Sequence, residues 1–294
     1  MIPSQFKSKK IALVFAHPDD EVLFGCSMVQ SCSKIIFCFS RLDGDQIISD
    51  GRKKIRDSYP LEHAVFLEEA EPKRLAPIDE FNSWRFPEDS ESGINSTAND
   101  INYQNHKTFE KLMPQLEKQL REIDLVITHN PWGEYGHPHH VLINKVISKI
   151  ATKMNFEIYV PGVFSLKSKR LMSMTSHKLS IEPVIVKVDE DIARNLKALY
   201  VNNDCWTWSD EKPSPSFNIF YKLNEKNFLR LNENHDNNYF SEHFLQFIDK
   251  PYRIHTLTEF ISMTKFGFLI EIALKLKRFF IKNKIKPNNL KIED

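Results

Sequence analysis

Glycine is scarce in this chain, eight in 294 residues. That excludes a collagen-like or glycine-rich chain, and each glycine marks a place where the backbone needs it. Cysteine is scarcer still: Cys26, Cys32, Cys38 and Cys205. No Cys-x-x-Cys occurs, which argues against a thiolate zinc site, and the expectation is buried free thiols in a reducing compartment. No apolar run approaches the ~18 residues of a membrane-spanning helix. The first one, residues 11–16, is too short for a signal-peptide core and runs straight into acids, so a cytoplasmic protein is expected. Neither sign of charge dominates, with 40 basic against 39 acidic residues. No nucleic-acid partner is therefore expected. What is present, 41% apolar and 27% charged residues, suits a globular chain long enough for a real core.

Short apolar runs alternate with helix-like segments. Residues 10–16, 34–40 and 124–131 read as buried strands. Residues 21–31, about 50–70, 103–122 and 139–153 read as helices, the third on Phe109, Leu112, Leu116 and Leu120 at helical spacing. Polar residues 86–102 read as a long surface loop, a candidate lid. Farther on, 182–188 and 216–223 are strand-like and 189–201 helix-like. The pattern predicts an α/β fold with a Rossmann-like, mostly parallel sheet and helices on both faces. Such folds place chemistry at the carboxyl ends of strands.

Two motifs follow predicted strands directly. The first is Ala16-His17-Pro18-Asp19-Asp20-Glu21. Imidazole and carboxylate are ordinary ligands of divalent transition metals. His17 and Asp20, three apart at a strand-to-helix junction, can point to one side of the turn and leave Asp19 spare. Helix capping by Asp19 or Asp20 is the competing explanation. The second motif is Gly133-Glu134-Tyr135-Gly136-His137-Pro138-His139-His140. On a helix His137 and His140 share a face and His139 points away. A solvated histidine-rich loop is its competitor. Together the motifs supply two histidines, one aspartate and a spare carboxylate. Three protein ligands with an open position are the pattern of a catalytic zinc site.

On the motifs AHPDDE and GHPHH, the sequence resembles the GlcNAc-phosphatidylinositol de-N-acetylase superfamily of PIG-L or LmbE-like proteins, over about residues 10–150. The resemblance implies metal-dependent removal of an N-acetyl group, usually from an amino sugar. It implies His17, Asp20 and His140 as ligands of zinc or ferrous iron. It implies Asp19 as general base, and His137 as the residue that stabilises the tetrahedral intermediate or assists proton transfer. The family often has Asp where this chain has His139, which should alter His137. Many relatives carry Arg-x-x-Glu after the second strand; here Arg52 and Arg56 lack that glutamate. Their helix face is expected to be solvated, although either arginine can hold substrate.

Substrate contacts are assigned to Asp43, Asp45, Arg56, Glu134, Tyr135 and Trp206, with turn formation and core packing as the competing roles. The expected substrate is an N-acetylated amino sugar, free, nucleotide-linked or lipid-linked, and the expected setting is surface-glycan or glycolipid synthesis. Two rival readings keep the fold: deacylation of a glycosylated thiol or antibiotic precursor, and a non-catalytic membrane-attached scaffold. The deacetylase domain is expected over 1–260, with its motif core in 10–200, followed by an extension ending in a basic amphipathic helix and tail at 261–294. Residues 265–291 hold eight Lys or Arg against one acid, Glu271. Peripheral contact through 262–286 with the inner face of a membrane is one expectation, and packing on the chain's own domain is the other.

Overall fold

The computed structural model describes residues 3–71, 99–165, 168, 171–172, 175–180, 182–208, 214–224 and 246–247. Residues 86–98 of the lid expected at 86–102, and the basic C-terminal helix, lie outside the described residues. Among those described, no helix is long and apolar enough to cross a membrane.

The strands are β1 (Ile11–Phe15), β2 (Lys34–Arg41), β3 (Ala64–Ala70), β4 (Leu125–Thr128), β5 (Glu157–Pro161), β6 (Val163–Phe164), β7 (Val184–Lys187), β8 (Phe217–Lys222) and β9 (Gln246–Phe247). The helices are α1 (Asp20–Phe24), α2 (Gln46–Ser58), α3 (Asn99–Gln119), a kinked single turn α4 (Gly133–Gly136), α5 (Pro138–Met154) and α6 (Glu190–Asn202). Seven strands form one sheet in the order β3-β2-β1-β4-β5-β8-β7. The first five run parallel, and β8 and β7 run antiparallel to their neighbours. β6 and β9 form a separate parallel pair.

Every residue of β1 and β4 is buried, because helices cover both faces. On one face Ala12, Val14, Ile36 and Val126 pack with Leu112 and Leu116 of α3 and Val146 of α5. On the other, Leu13, Phe15, Ile35 and Phe37 pack with Ile55 of α2 and Leu196 and Tyr200 of α6. All four cysteines are buried and free. β2 and β3 lie to one side of β1, while β4 and β5 lie to the other. The order in which strands are added thus reverses at the β1/β4 seam, a topological switch point where carboxyl-end loops leave a crevice.

Three expectations need correction. The helix read at 50–70 is α2 followed by β3. Pro60 lacks an amide proton and ends the helix, and Val65, Phe66 and Leu67 suit a strand. The helix read at 21–31 stops at Phe24 and continues as a 3-10 turn, Cys26–Met28. At Gly25 a side chain would meet the Phe15 ring at 2.8 Å. Residues 99–102, read as loop, begin α3.

Gly51 allows α2 to press on the turn after α6. A Cβ there would lie 2.2 Å from the Asn203 carbonyl oxygen and 2.8 Å from the Cys205 Cβ. Gly51→Ala is expected to lower stability by about 1–3 kcal/mol through overpacking. A thermal midpoint equal to the parent's would refute this contact.

Candidate metal centre

The site forms where β1 and β4 end. The two strand ends are tied directly, because the Ala16 amide donates to His129 Nε2 at 2.8 Å. Beyond β1 the chain turns sharply. The His17 amide donates to Asp20 Oδ2 at 2.8 Å, and Asp19 is forced into the left-handed region at φ 105°. Such strain in a non-glycine residue persists only where its surroundings over-determine it.

Those surroundings are visible. The Asp19 side chain makes no capping bond to α1. Its Oδ2 accepts from the Thr207 amide at 2.9 Å and from the Thr207 hydroxyl at 2.7 Å. Its Oδ1 is buried without a hydrogen-bond partner. The Asp19 amide donates to Glu21 Oε2 at 3.1 Å. Glu21 Oε1 receives the hydroxyls of Tyr200 at 2.6 Å and Tyr59 at 3.0 Å. Burial and the adjacent Asp20 carboxylate push Asp19 up to about 8, against the donors of Thr207. Burial pushes Glu21 up to about 7. Helix capping therefore does not account for Asp19.

Beyond β4, a chain of buried polar groups leads to His140. The Asn130 amide donates to Glu134 Oε1 at 2.9 Å, and the Glu134 amide returns a bond to Asn130 Oδ1 at 2.8 Å. Glu134 Oε2 lies 2.6 Å from His140 Nδ1 and 3.2 Å from His129 Nδ1. Burial disfavours charge on His129, but the carboxylates of Glu134 and Asp20 outweigh it and push the ring up to about 9. The bond from the Ala16 amide uses the Nε2 lone pair, and in that geometry the ring proton sits on Nδ1, toward Glu134. The carboxylate likewise fixes the His140 proton on Nδ1.

That leaves the Nε2 lone pair of His140 buried with no hydrogen-bond partner, 3.4 Å from Asp20 Oδ1. Two lone pairs facing each other repel unless a cation lies between them. Burial opposes charge on Asp20, but the imidazoles of His140, His17 and His129 hold its carboxyl well below the usual range. His17 Nδ1 is 3.1 Å from Asp20 Oδ2. One atom each of His17, Asp20 and His140 lie within 4.8 Å of one another. Two imidazoles and a carboxylate in this arrangement fit a divalent metal. Two further groups meet the same distance limit, His17 with His137 and His139, and His129 with Glu134 and His140.

His137 caps α5, its Nδ1 accepting the His139 amide at 3.3 Å. Its ring stacks on His140 at 4.5 Å. His139 does not point away from the site: it is buried, with Nδ1 3.0 Å from His17 Nε2. Proline at the first helical position and the cap turn this end of α5 into the cluster.

The other expected residues divide. Tyr135 stands edge-on to His137 at 5.6 Å and His140 at 5.5 Å, and it belongs to the site. Glu134 does not face substrate, because both oxygens serve Asn130 and the two histidines. Asp45 caps α2 by accepting the Ile48 amide at 3.1 Å. Asp43 is exposed and paired with Arg41 at 3.2 Å. Arg56 pairs with Asp57 and Glu68, outside the cluster. Trp206 packs near Tyr200, with Lys197 Nζ 5.3 Å over its ring. Arg52, expected on a solvated face, is buried, with Nη1 2.5 Å from Glu71 Oε1. His129, Glu71 and Thr207 lie outside both motifs. Of these, only His129 carried a hint, as a polar residue at the end of an apolar strand.

Residues 12–151 match a family described as PIG-L, GlcNAc-PI de-N-acetylase. The Uncharacterized protein L374 of Acanthamoeba polyphaga mimivirus is 25% identical over 210 residues, 68% of this chain and 84% of its own length. Two solved structures also resemble the chain. A deacetylase–teicoplanin complex from the teicoplanin biosynthesis pathway has a TM-score of 0.48 at 10% identity, covering 73% of this chain and 98% of its own. The N,N'-diacetylchitobiose deacetylase of Pyrococcus horikoshii has a TM-score of 0.39 at 15% identity, covering 70% and 73%.

Glu134→Gln, which weakens the hold on His140 Nδ1, is expected to reduce zinc affinity by about 10–100-fold. Competition with a chromophoric chelator on metal-stripped protein measures this. Affinity unchanged from the parent's would remove Glu134 from that role.

Proposed function

We propose, from the premise that residues 12–151 belong to the PIG-L family, that this deacetylase removes the N-acetyl group of an N-acetylated amino sugar by metal-assisted hydrolysis. The amino sugar is free, nucleotide-linked or lipid-linked. His17, Asp20 and His140 hold the metal, and zinc and ferrous iron both suit two imidazoles and one carboxylate. The observation that carries the reading is Asp19. One carboxylate oxygen is fixed by two donors from Thr207, while the other is buried without a partner, in the residue beside Asp20. A purely structural carboxylate has no reason to keep that oxygen bare, since burying an unpaired acceptor costs about 1–3 kcal/mol.

A bound divalent ion supplies Lewis acidity to the acetyl carbonyl and makes a neighbouring water acidic. Asp19 Oδ1 takes a proton from the attacking water and passes it to the leaving amine nitrogen. Thr207 keeps the carboxylate from rotating during both transfers. His137 uses Nδ1 as an acceptor for the His139 amide, so the neutral ring carries its proton on Nε2. That N–H donates to the oxygen where negative charge develops. Tyr135 and Trp208, edge-on at 5.2 Å, supply an aromatic wall beside the histidines, a surface suited to the apolar face of a sugar ring.

The test is acetate release from a panel of N-acetyl sugars, sugar nucleotides and polyprenyl-linked sugars, with bound metal quantified in the same preparation. Asp19→Asn is expected to retain the metal and lose nearly all release; wild-type turnover in that variant would sink its role. Thr207→Ala is expected to lower kcat by about 10–100-fold with little change in KM, matching the ~1.5–3 kcal/mol of a hydrogen bond to a charged group. Thr207→Ser, which keeps both donors, should recover most of that loss. Equal rates in the two variants would assign Thr207 to packing.

A further inference from the structure

We infer that His139 is a positioning residue for the metal: it accepts the Nε2–H of His17 and so fixes the tautomer that directs His17 Nδ1 at the metal. The inference rests on His17 being a ligand, as proposed above. His17 Nδ1 faces Asp20 Oδ2 at 3.1 Å, and its Nε2 faces His139 Nδ1 at 3.0 Å. A neutral imidazole that ligates through Nδ1 carries its proton on Nε2, and that proton needs an acceptor. Among the described residues, Glu71 Oε1 also approaches His17 Nε2, but at 3.6 Å it is beyond hydrogen-bond reach. Its nearer claim is on Arg52 Nη1 at 2.5 Å. The His139 Nδ1 lone pair is therefore the receiving group.

The surroundings hold this contact in place. His17 is 6% exposed and His139 2%. Phe39 packs against both rings, at 6.0 Å and 5.3 Å between centroids. Glu71 Oε2 lies 3.6 Å from His139 Nδ1, and Arg52 anchors that carboxylate from the other side. A carboxylate commonly receives the outer N–H of a ligating histidine. Here a neutral imidazole does so, and the Glu71 carboxylate flanks the contact, one oxygen 3.6 Å from each of the two facing nitrogens.

A second cation among His17, His137 and His139 is the competing use of the same atoms. It requires a deprotonated Nε2 on His17, whose Nδ1 already faces the first site. It also requires His137 Nε2 as a deprotonated ligand, because Nδ1 accepts the His139 amide, and that removes the N–H donor proposed above. Both demands oppose it.

The experiment measures Zn²⁺ affinity and stoichiometry on metal-stripped full-length protein, with thermal midpoints recorded alongside. His139→Leu removes the acceptor and is expected to weaken binding by about 10–100-fold. His139→Asn places an amide oxygen near the position of Nδ1 and should recover most of that affinity. Two variants that bind as tightly as the parent, or that lose affinity equally in step with their thermal midpoints, overturn the inference. So does a parent that binds two ions where His139→Leu binds one. Long-range ¹H–¹⁵N spectra of the zinc-loaded parent test the same point without a substitution. A proton on His17 Nε2 is expected, and one on Nδ1 refutes the assignment. His17→Asn separates the two levels: if it leaves zinc affinity unchanged, the ligand reading fails. If it abolishes binding while His139→Leu has no effect, only the role of His139 fails.

Discussion

The lone pair on His140 Nε2 is the constraint from which the rest of the site follows. It points at Asp20 because Glu134 Oε2 holds the opposite nitrogen at 2.6 Å. Glu134 can do this only because its other oxygen is locked to the Asn130 amide, and Asn130 to the carbonyls of Pro161 and Val163. The tautomer of one ring is thus set by a line of bonds running back into the sheet. Burying so many polar groups is tolerable when each is satisfied, and the few that are not stand out. Two of those exceptions, His140 Nε2 and Asp19 Oδ1, lie where metal and water chemistry would be done.

The second half of the chain contributes to a site that its sequence does not advertise. Thr207 comes from the turn after α6, 188 positions from Asp19, and supplies both donors to one carboxylate oxygen. Tyr200 of α6 binds Glu21, which in turn takes the Asp19 amide. The strained left-handed backbone at Asp19 is thereby gripped from two sides. Gly51 lets α2 close on the same turn, so the packing of two helices bears on the aim of one carboxylate.

Strand–loop–helix alternation was legible because short continuous apolar runs and apolar stripes of period 3.6 can be read from the sequence directly. Element type was harder where signals were mixed. β3 hid behind the charges of Glu68 and Glu69, and only its pairing with β2 gives those residues a reason to be extended. The short carboxylates at 43 and 45 looked alike in sequence. One ended as a helix cap and the other as an exposed ion-pair partner, because turn chemistry and sugar binding use the same side chains.

Local order along the chain determined the fold class, the two strand-end motifs and the residue types that can hold a divalent metal. Each of these depends on spacing within a few residues. Tertiary structure alone decided which nitrogen of each histidine is turned inward and which carboxylate stays bare. It also decided that Arg52 is buried against Glu71, whose carboxylate flanks the His17–His139 contact. The bare Asp19 oxygen and the His17–His139 contact depend on partners 188 and 122 residues away, and the His140 tautomer on Glu134, which is itself held by Asn130 against the sheet. A tautomer or an orphaned lone pair is a property of the assembled hydrogen-bond network, and no single segment carries it.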